Sequence, residues 1–163
     1  MSVLMAFVAK VSMPGEEKWH ADAFSVGVIA SVCGFYCCPT LPIYTTAKHG
    51  VVGFVRSYGK YLPSEKITLN AVTPNVIRTN ISSPEFYDKI EAQGLLTPIE
   101  GVVDAFESLL GDNADSGECF EIGPNYAKGQ GVVKRKFVEF LDEESKKCFE
   151  MLEPRGRPLQ LPG

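Results

Sequence analysis

The run formed by residues 25–32, Ser-Val-Gly-Val-Ile-Ala-Ser-Val, restricts the fold more than any other part of this chain. It is apolar on both faces, and it lacks the alternation of a strand that has one face in water. Two further predicted strands, 67–72 and 119–122, follow after segments with helical patterns. Strands that alternate with helices form parallel sheets with right-handed crossovers. The sequence therefore predicts an α/β fold around three parallel strands.

Helical patterns occupy the remaining segments. Apolar residues recur at helical spacing over 44–62, which predicts a long amphipathic helix. Thr97 followed by Glu100 predicts a second helix that begins with a capping box. Residues 134–152 are predicted to form a final amphipathic helix, and the apolar residues 3–11 a short one.

Composition and charge narrow the class of protein. The chain has 163 residues, 45% of them hydrophobic and 22% charged, as in one globular domain. Its formal net charge of −4 comes without a broad basic face, so no nucleic-acid partner is expected. No run approaches the ~20 apolar residues of a membrane helix, and no membrane partner is expected. Five cysteines without a CxxC pair indicate free thiols, no metal site and a cytoplasmic protein.

Three residues carry groups that suit chemistry at one edge of the predicted sheet. Tyr44 and Lys48 are four positions apart, so they share one helical face. Alone, this pair favours a surface tyrosine beside a solvated lysine. However, Ser31 ends one predicted strand and Pro74 ends the next, at the carboxyl edge where open α/β sheets bind ligands. We therefore expect a hydroxyl, a phenol and an ammonium group to meet at this edge.

These residues and their neighbours resemble the short-chain dehydrogenase/reductase family, over residues 3–126. The resemblance favours the hydroxyprostaglandin-dehydrogenase-type branch and its fungal secondary-metabolism relatives. It implies the carboxyl-terminal half of a doubly wound, Rossmann-like parallel sheet in residues 1–126: its last three strands with flanking helices. Residues 127–163 would then be an extension with an amphipathic helix and a loose tail. The matching stretches are 29–32, 43–51, 67–74, Thr79, 97–100 and 117–122.

The resemblance implies an NAD- or NADP-dependent oxidoreductase that interconverts a secondary alcohol and a ketone. Tyr44 would be the general acid/base, and Lys48 would favour its phenolate and bind the nicotinamide ribose. Ser31 would hold the substrate oxygen. A small-molecule substrate and a homo-oligomer formed through the helix after Tyr44 are also expected. The cofactor carboxamide would be positioned by Pro74, Asn75, Val76 and Thr79, although Thr79 equally fits a residue that only caps a loop.

The chain also departs from the family pattern. No GxxxGxG motif is present, so the resemblance implies that the amino-terminal dinucleotide-binding half is missing. The strand over residues 25–32 would then have an open edge. Asn75 stands where the family has a glycine after the proline. Asparagine tolerates a left-handed backbone conformation, but its side chain leaves less space for the cofactor. Two alternatives remain: a catalytically inactive remnant or interaction module, and a redox-neutral isomerase or cyclase that uses Tyr44 and Lys48.

Overall fold

The computed structural model of this protein describes residues 5–10, 24–110 and 113–152. Their strands form one sheet in which the spatial order follows the chain order. The three central strands are parallel to one another, and the outer strand on each side runs antiparallel to its neighbour. The prediction of an α/β fold around three parallel strands is confirmed. The five strands are β1 (Met5–Lys10), β2 (Phe24–Ile29), β3 (Ile67–Pro74), β4 (Cys119–Ile122) and β5 (Val133–Lys134).

Helices connect the parallel strands, because two neighbouring parallel strands can be joined only by a long crossover connection. Helix α1 (Pro42–Tyr58) joins β2 to β3, and helices α2 (Pro84–Glu91) and α3 (Ile99–Ser108) join β3 to β4. A fourth helix, α4, spans Glu143–Glu150. Proline suits the first turn of a helix because its missing N–H has no intrahelical partner there, and α1 and α2 both begin with one.

The predicted capping box of α3 is wrong. Pro98 occupies the N-cap position, and no side chain caps this helix. Thr97 is buried, and within the described part of the chain its hydroxyl oxygen has no hydrogen-bond partner. Its backbone N–H instead donates to the carbonyl of Val76, 2.7 Å away. Because this bond fixes Thr97 beside the end of β3, the residue serves the connection between β3 and α3 rather than the helix end.

The hydrophobic core lies on both faces of the sheet. On one face, Val52 and Val55 of α1 pack against Leu69 and Ala71 of β3. On the other face, side chains of α3 pack against β3 and β4, and this layer contains Val72, Val102, Ala105, Leu109, Phe120 and Ile122. Strand β3 is therefore covered on both sides, and its polar side chains Thr68, Asn70 and Thr73 are buried together with its apolar ones.

The prediction of a helix over residues 3–11 is wrong where the structure describes it. Residues 5–10 form β1, which pairs antiparallel with β2 from Met5 opposite Ile29 to Lys10 opposite Phe24. An unpaired strand edge offers a row of N–H and C=O groups, and this segment supplies their partners. The edge of β2 that was expected to be open is therefore covered by β1.

The prediction of one helix over 134–152 is also wrong in its first part. Val133 and Lys134 form β5 on the edge of β4, and the Arg135 N–H donates to the carbonyl of Cys119, 2.8 Å away. Helix α4 begins only after Asp142, whose carboxylate accepts the N–H of Ser145. The apolar residues before it lie outside any helix, and Val138 and Leu141 among them are 89% and 90% exposed. Residues 153–163, where a loose tail was expected, lie outside the described residues.

The described residues contain neither a helix suited to cross a membrane nor a cluster of side chains suited to hold a metal ion. No helix in these segments is long and apolar enough to cross a membrane. The same residues contain no group of three or more His, Cys, Asp or Glu side chains placed to hold a metal ion.

The buried thiol of Cys119 makes the free energy of unfolding decrease at alkaline pH. Burial raises the pKa of Cys119 from 9.0 to about 11, against the opposing effect of the Arg56 guanidinium. The unfolded thiol ionises first, so this contribution is complete below pH 9.0 and is lost as the pH rises toward 11. Between pH 9.0 and about 11, the unmodified protein should therefore lose about 3 kcal/mol of unfolding free energy through this thiol. Cys119→Ala lacks the thiol and should not show this loss. Denaturant unfolding at several pH values measures it, and Cys37→Ala, which removes an exposed thiol, is the control. An unchanged pH slope in Cys119→Ala would contradict the assignment.

Candidate active site

Lys48 belongs to α1, and its side chain reaches the carboxyl end of β2. Its side chain is 6% exposed, and its Nζ donates to the carbonyl of Ile29, the last residue of β2, at 3.3 Å. The same Nζ lies 5.5 Å from the ring centre of Tyr44, one helical turn earlier in α1. Burial lowers the pKa of Lys48, and the electrostatic interaction with the nearby Cys33 partly opposes this shift. The structure thus brings Lys48, Tyr44 and the end of β2 together.

Ser31 lies two residues beyond β2, in a short turn that packs on α1. Its buried Oγ accepts the N–H of Cys33 at 3.2 Å and so caps a single 3₁₀ turn, Val32–Gly34. A Cβ on Gly34 would lie 2.9 Å from the carbonyl oxygen of Lys48 and 2.5 Å from a methyl group of Val52. Only glycine allows this turn to approach α1 so closely. This requirement for Gly34 depends on a tertiary contact with α1 and has no local signal in the sequence.

Residues 74–76 follow β3 at the same edge of the sheet, because β2 and β3 are parallel and pair Ile29 with Val72. The side chain of Asn75 donates to Glu121 Oε1 and to the carbonyl of Ile122, both at 3.2 Å. Among the described residues, Lys66 is the only non-glycine residue with a positive φ, so Asn75 does not use left-handed backbone. Its amide is held against β4 instead.

Glu121 is a residue that sequence reasoning missed. Besides Asn75, its carboxylate contacts Arg135 at 3.3 Å and the Tyr36 hydroxyl at 3.5 Å. It thereby connects β4 to the loop after Ser31, to the end of β3 and to the segment after β5. A polar residue within a short apolar strand was the available signal, but its partners are far away in the sequence.

Thr79 lies farther along the chain, and its hydroxyl contacts α2. Its Oγ1 is 2.9 Å from the hydroxyl of Tyr87 and accepts the N–H of Ile81 at 3.3 Å. The hydrogen bond to Thr79 lowers the pKa of Tyr87. Arg78 forms ion pairs with Asp88 and Glu91, both at 2.8 Å, which further attach α2 to this loop.

Comparison with known proteins gives one family and several relatives. Residues 24–89 match the family model described as short chain dehydrogenase. Short-chain dehydrogenase/reductase prx7 of Penicillium rubens is 38% identical over 64 residues, covering 39% of this chain and 23% of that protein. Dehydrogenase/reductase SDR family member 4 of Rattus norvegicus is 30% identical over 84 residues, covering 52% and 29% respectively. The chain thus spans less than a third of either relative.

Solved structures show the same fold. A 4-hydroxyisoleucine dehydrogenase complexed with NADH and succinate has a TM-score of 0.51 and 26% identity, covering 60% of this chain and 43% of that one. A putative 2-deoxy-D-gluconate 3-dehydrogenase from Agrobacterium tumefaciens with bound NADP has a TM-score of 0.55 and 24% identity, covering 66% and 48%.

Proposed function

Because residues 24–89 of this chain belong to the short-chain dehydrogenase/reductase family, we propose that the protein interconverts a secondary alcohol and a ketone with NAD or NADP. One observation carries the proposal: the buried ammonium group of Lys48 lies between the end of β2 and the ring of Tyr44. Burying a lysine costs free energy unless its charge is paired or hydrogen-bonded, and groups with a perturbed pKa, such as Lys48, cluster at functional sites.

The donor set at this edge fits the nicotinamide half of such a cofactor. Lys48 and Tyr44 would hold the ribose hydroxyls, and the backbone of Pro74, Asn75 and Val76 with the Thr79 hydroxyl would hold the carboxamide. A bound nicotinamide supplies the hydride acceptor or donor. No GxxxGxG turn for the pyrophosphate occurs in this sequence, so the proposal assigns residues only to the nicotinamide half.

Tyr44 would move the proton of the reacting hydroxyl group. A free phenol has a pKa near 10, which is too high for a base at neutral pH, and a neighbouring ammonium favours the phenolate. Tyr44 Oη would take the proton from the alcohol, or return it to the ketone oxygen. Ser31 Oγ already accepts the Cys33 N–H, so its own hydrogen is available to donate to the substrate oxygen.

Binding of the nicotinamide half tests this proposal directly. The protein is titrated with reduced nicotinamide mononucleotide and with NADH, by calorimetry. Lys48→Met should weaken binding of both by at least about tenfold, because a charge-assisted hydrogen bond is lost. Lys128→Met, which removes an exposed lysine, should leave both affinities unchanged. If the unmodified protein binds neither nucleotide, the proposed function is wrong.

Experiments on the unmodified protein also distinguish the proposed dehydrogenase from the two alternatives. An inactive remnant or interaction module was suggested by an open edge on β2 and by the missing GxxxGxG turn. Strand β1 covers that edge, whereas the turn is absent from the sequence, so failure to bind either nucleotide would favour this alternative. A redox-neutral isomerase or cyclase would use Tyr44 and Lys48 without nicotinamide. Turnover of a substrate in the absence of any nicotinamide nucleotide would favour this alternative over the dehydrogenase.

The outward face of α1 is compatible with the expected homo-oligomer. Phe54 and Tyr58 are 57% and 45% exposed, and their rings lie 5.4 Å apart. A Cβ on Gly50 or Gly53 would meet nothing within 4 Å. This face therefore carries exposed aromatic side chains next to glycines that have free space around them. Self-association through α1 stays a prediction.

A further inference from the structure

The hydroxyl groups of Thr79 and Tyr87 form a pair at the edge of the proposed cofactor site. Their oxygen atoms are 2.9 Å apart. Tyr87 lies on α2 and is 4% exposed, whereas Thr79 is exposed in the loop after β3. The two residues therefore share a hydrogen bond but differ in their access to solvent and to a ligand.

The hydrogen atoms of this pair can be counted. A hydroxyl group has one hydrogen to donate and two lone pairs to accept. Tyr87 Oη accepts the N–H of Ser82 at 3.2 Å, and Thr79 Oγ1 accepts the N–H of Ile81 at 3.3 Å. One of the two hydroxyl hydrogens is used in the bond between the oxygens. The second hydrogen belongs to whichever hydroxyl accepts that bond, and it points away from the pair.

Burial decides which hydroxyl keeps the second hydrogen. If Thr79 donated to Tyr87, the phenolic hydrogen would need another acceptor, and the described residues provide none. A buried donor without an acceptor costs free energy. If Tyr87 donates to Thr79, the remaining hydrogen lies on the exposed hydroxyl, where water or a ligand accepts it. The second arrangement is therefore favoured.

We propose that Tyr87 is a positioning residue that makes the Thr79 hydroxyl an obligate donor to the carboxamide carbonyl of the nicotinamide. This inference rests on the proposed function. Because both lone pairs of Thr79 Oγ1 are occupied, the hydroxyl selects the carbonyl oxygen and not the amino group of the carboxamide. Tyr87 acts only through Thr79. The Arg78 guanidinium, 5.6 Å from the Tyr87 ring centre, packs over that ring.

Nicotinamide analogues test which part of the carboxamide is recognised. The acetylpyridine analogue of NADH keeps the carbonyl oxygen but lacks the amino group, whereas the thionicotinamide analogue replaces the oxygen with weakly accepting sulfur. The unmodified protein should bind the acetylpyridine analogue within about threefold of NADH, and the thio analogue about threefold to tenfold more weakly. Tyr87→Phe should abolish this preference, and Tyr58→Phe should retain it.

A second measurement needs no ligand. NMR should detect a slowly exchanging hydroxyl hydrogen on Tyr87 that becomes fast in Thr79→Val. A protected hydrogen on Thr79 in place of Tyr87 would overturn the proposed direction of donation, whatever the protein binds. Full retention of the thio-analogue preference in a folded Tyr87→Phe protein would overturn the positioning role. Failure of the unmodified protein to bind NADH would refute the proposed function, and the carboxamide assignment with it.

Discussion

Replacement of Tyr44 by phenylalanine is expected to lower kcat for oxidation of a secondary alcohol by about 10²- to 10⁴-fold. The substitution removes the only atom proposed to carry the reacting proton, and it keeps the ring beside Lys48 Nζ. Affinity for reduced nicotinamide mononucleotide should change less than about tenfold, since at most one neutral hydrogen bond to the ribose is lost. Formation of reduced nicotinamide with a panel of secondary alcohols measures the rate.

Tyr58→Phe is the matched control for this experiment. Tyr58 is on the same helix and is 45% exposed, and it has no part in the proposed site. Its rate should equal that of the unmodified protein. A Tyr44→Phe protein that is folded and retains full activity would show that another group carries the proton.

Replacement of Gly59 by alanine is expected to destabilise the fold by about 1 to 3 kcal/mol. Gly59 follows α1, and an added Cβ would lie 2.5 Å from the backbone N and Cα of Gly117 and from the carbonyl oxygen of Val55. These neighbours are backbone atoms, so relief requires α1 to move from the sheet. Such movement would stretch the 2.5 Å bond from the Ser116 hydroxyl to the Gly59 carbonyl.

Gly53→Ala provides the comparison in the same helix. A Cβ there would meet no atom within 4 Å, so alanine should increase the free energy of unfolding by about 0.5 to 1 kcal/mol through its higher helix propensity. Denaturant unfolding of both variants measures the difference. Equal stabilities for Gly59→Ala and Gly53→Ala would show that α1 does not approach the sheet as closely as described.

Local patterns predicted the centre of the fold correctly. The strands over 67–72 and 119–122 and the helix after Tyr44 were found from hydrophobic runs and periodicity, because burial on both faces or on one stripe leaves a pattern in neighbouring residues. The edges were predicted wrongly. The apolar run over 3–11 has no decisive period, and the hydrogen-bonding groups of β2 determine that residues 5–10 pair as a strand.

The segment after β5 shows the same effect. Residues 134–152 were predicted as one amphipathic helix, but Phe137 lies outside any helix, and its ring is 4.7 Å from the guanidinium carbon of Arg56 in α1. Arg56 also donates to the carbonyl of Lys136 at 3.1 Å. An apolar residue at helical spacing can equally pack against a side chain of another element, and only its distant partner distinguishes the two structures.

At the proposed site, residue order alone was enough to place Tyr44 and Lys48 on one face of a helix, because helical geometry relates positions four apart wherever the helix lies. It also indicated that this helix follows a buried strand. Tertiary structure decided three contacts. The Asn75 amide donates to Glu121, Gly34 allows the turn after Ser31 to pack closely on α1, and the hydroxyl groups of Thr79 and Tyr87 share a hydrogen bond. These contacts join separate elements, and no local periodicity encodes which hydrogen-bonding partner a side chain reaches once the elements pack.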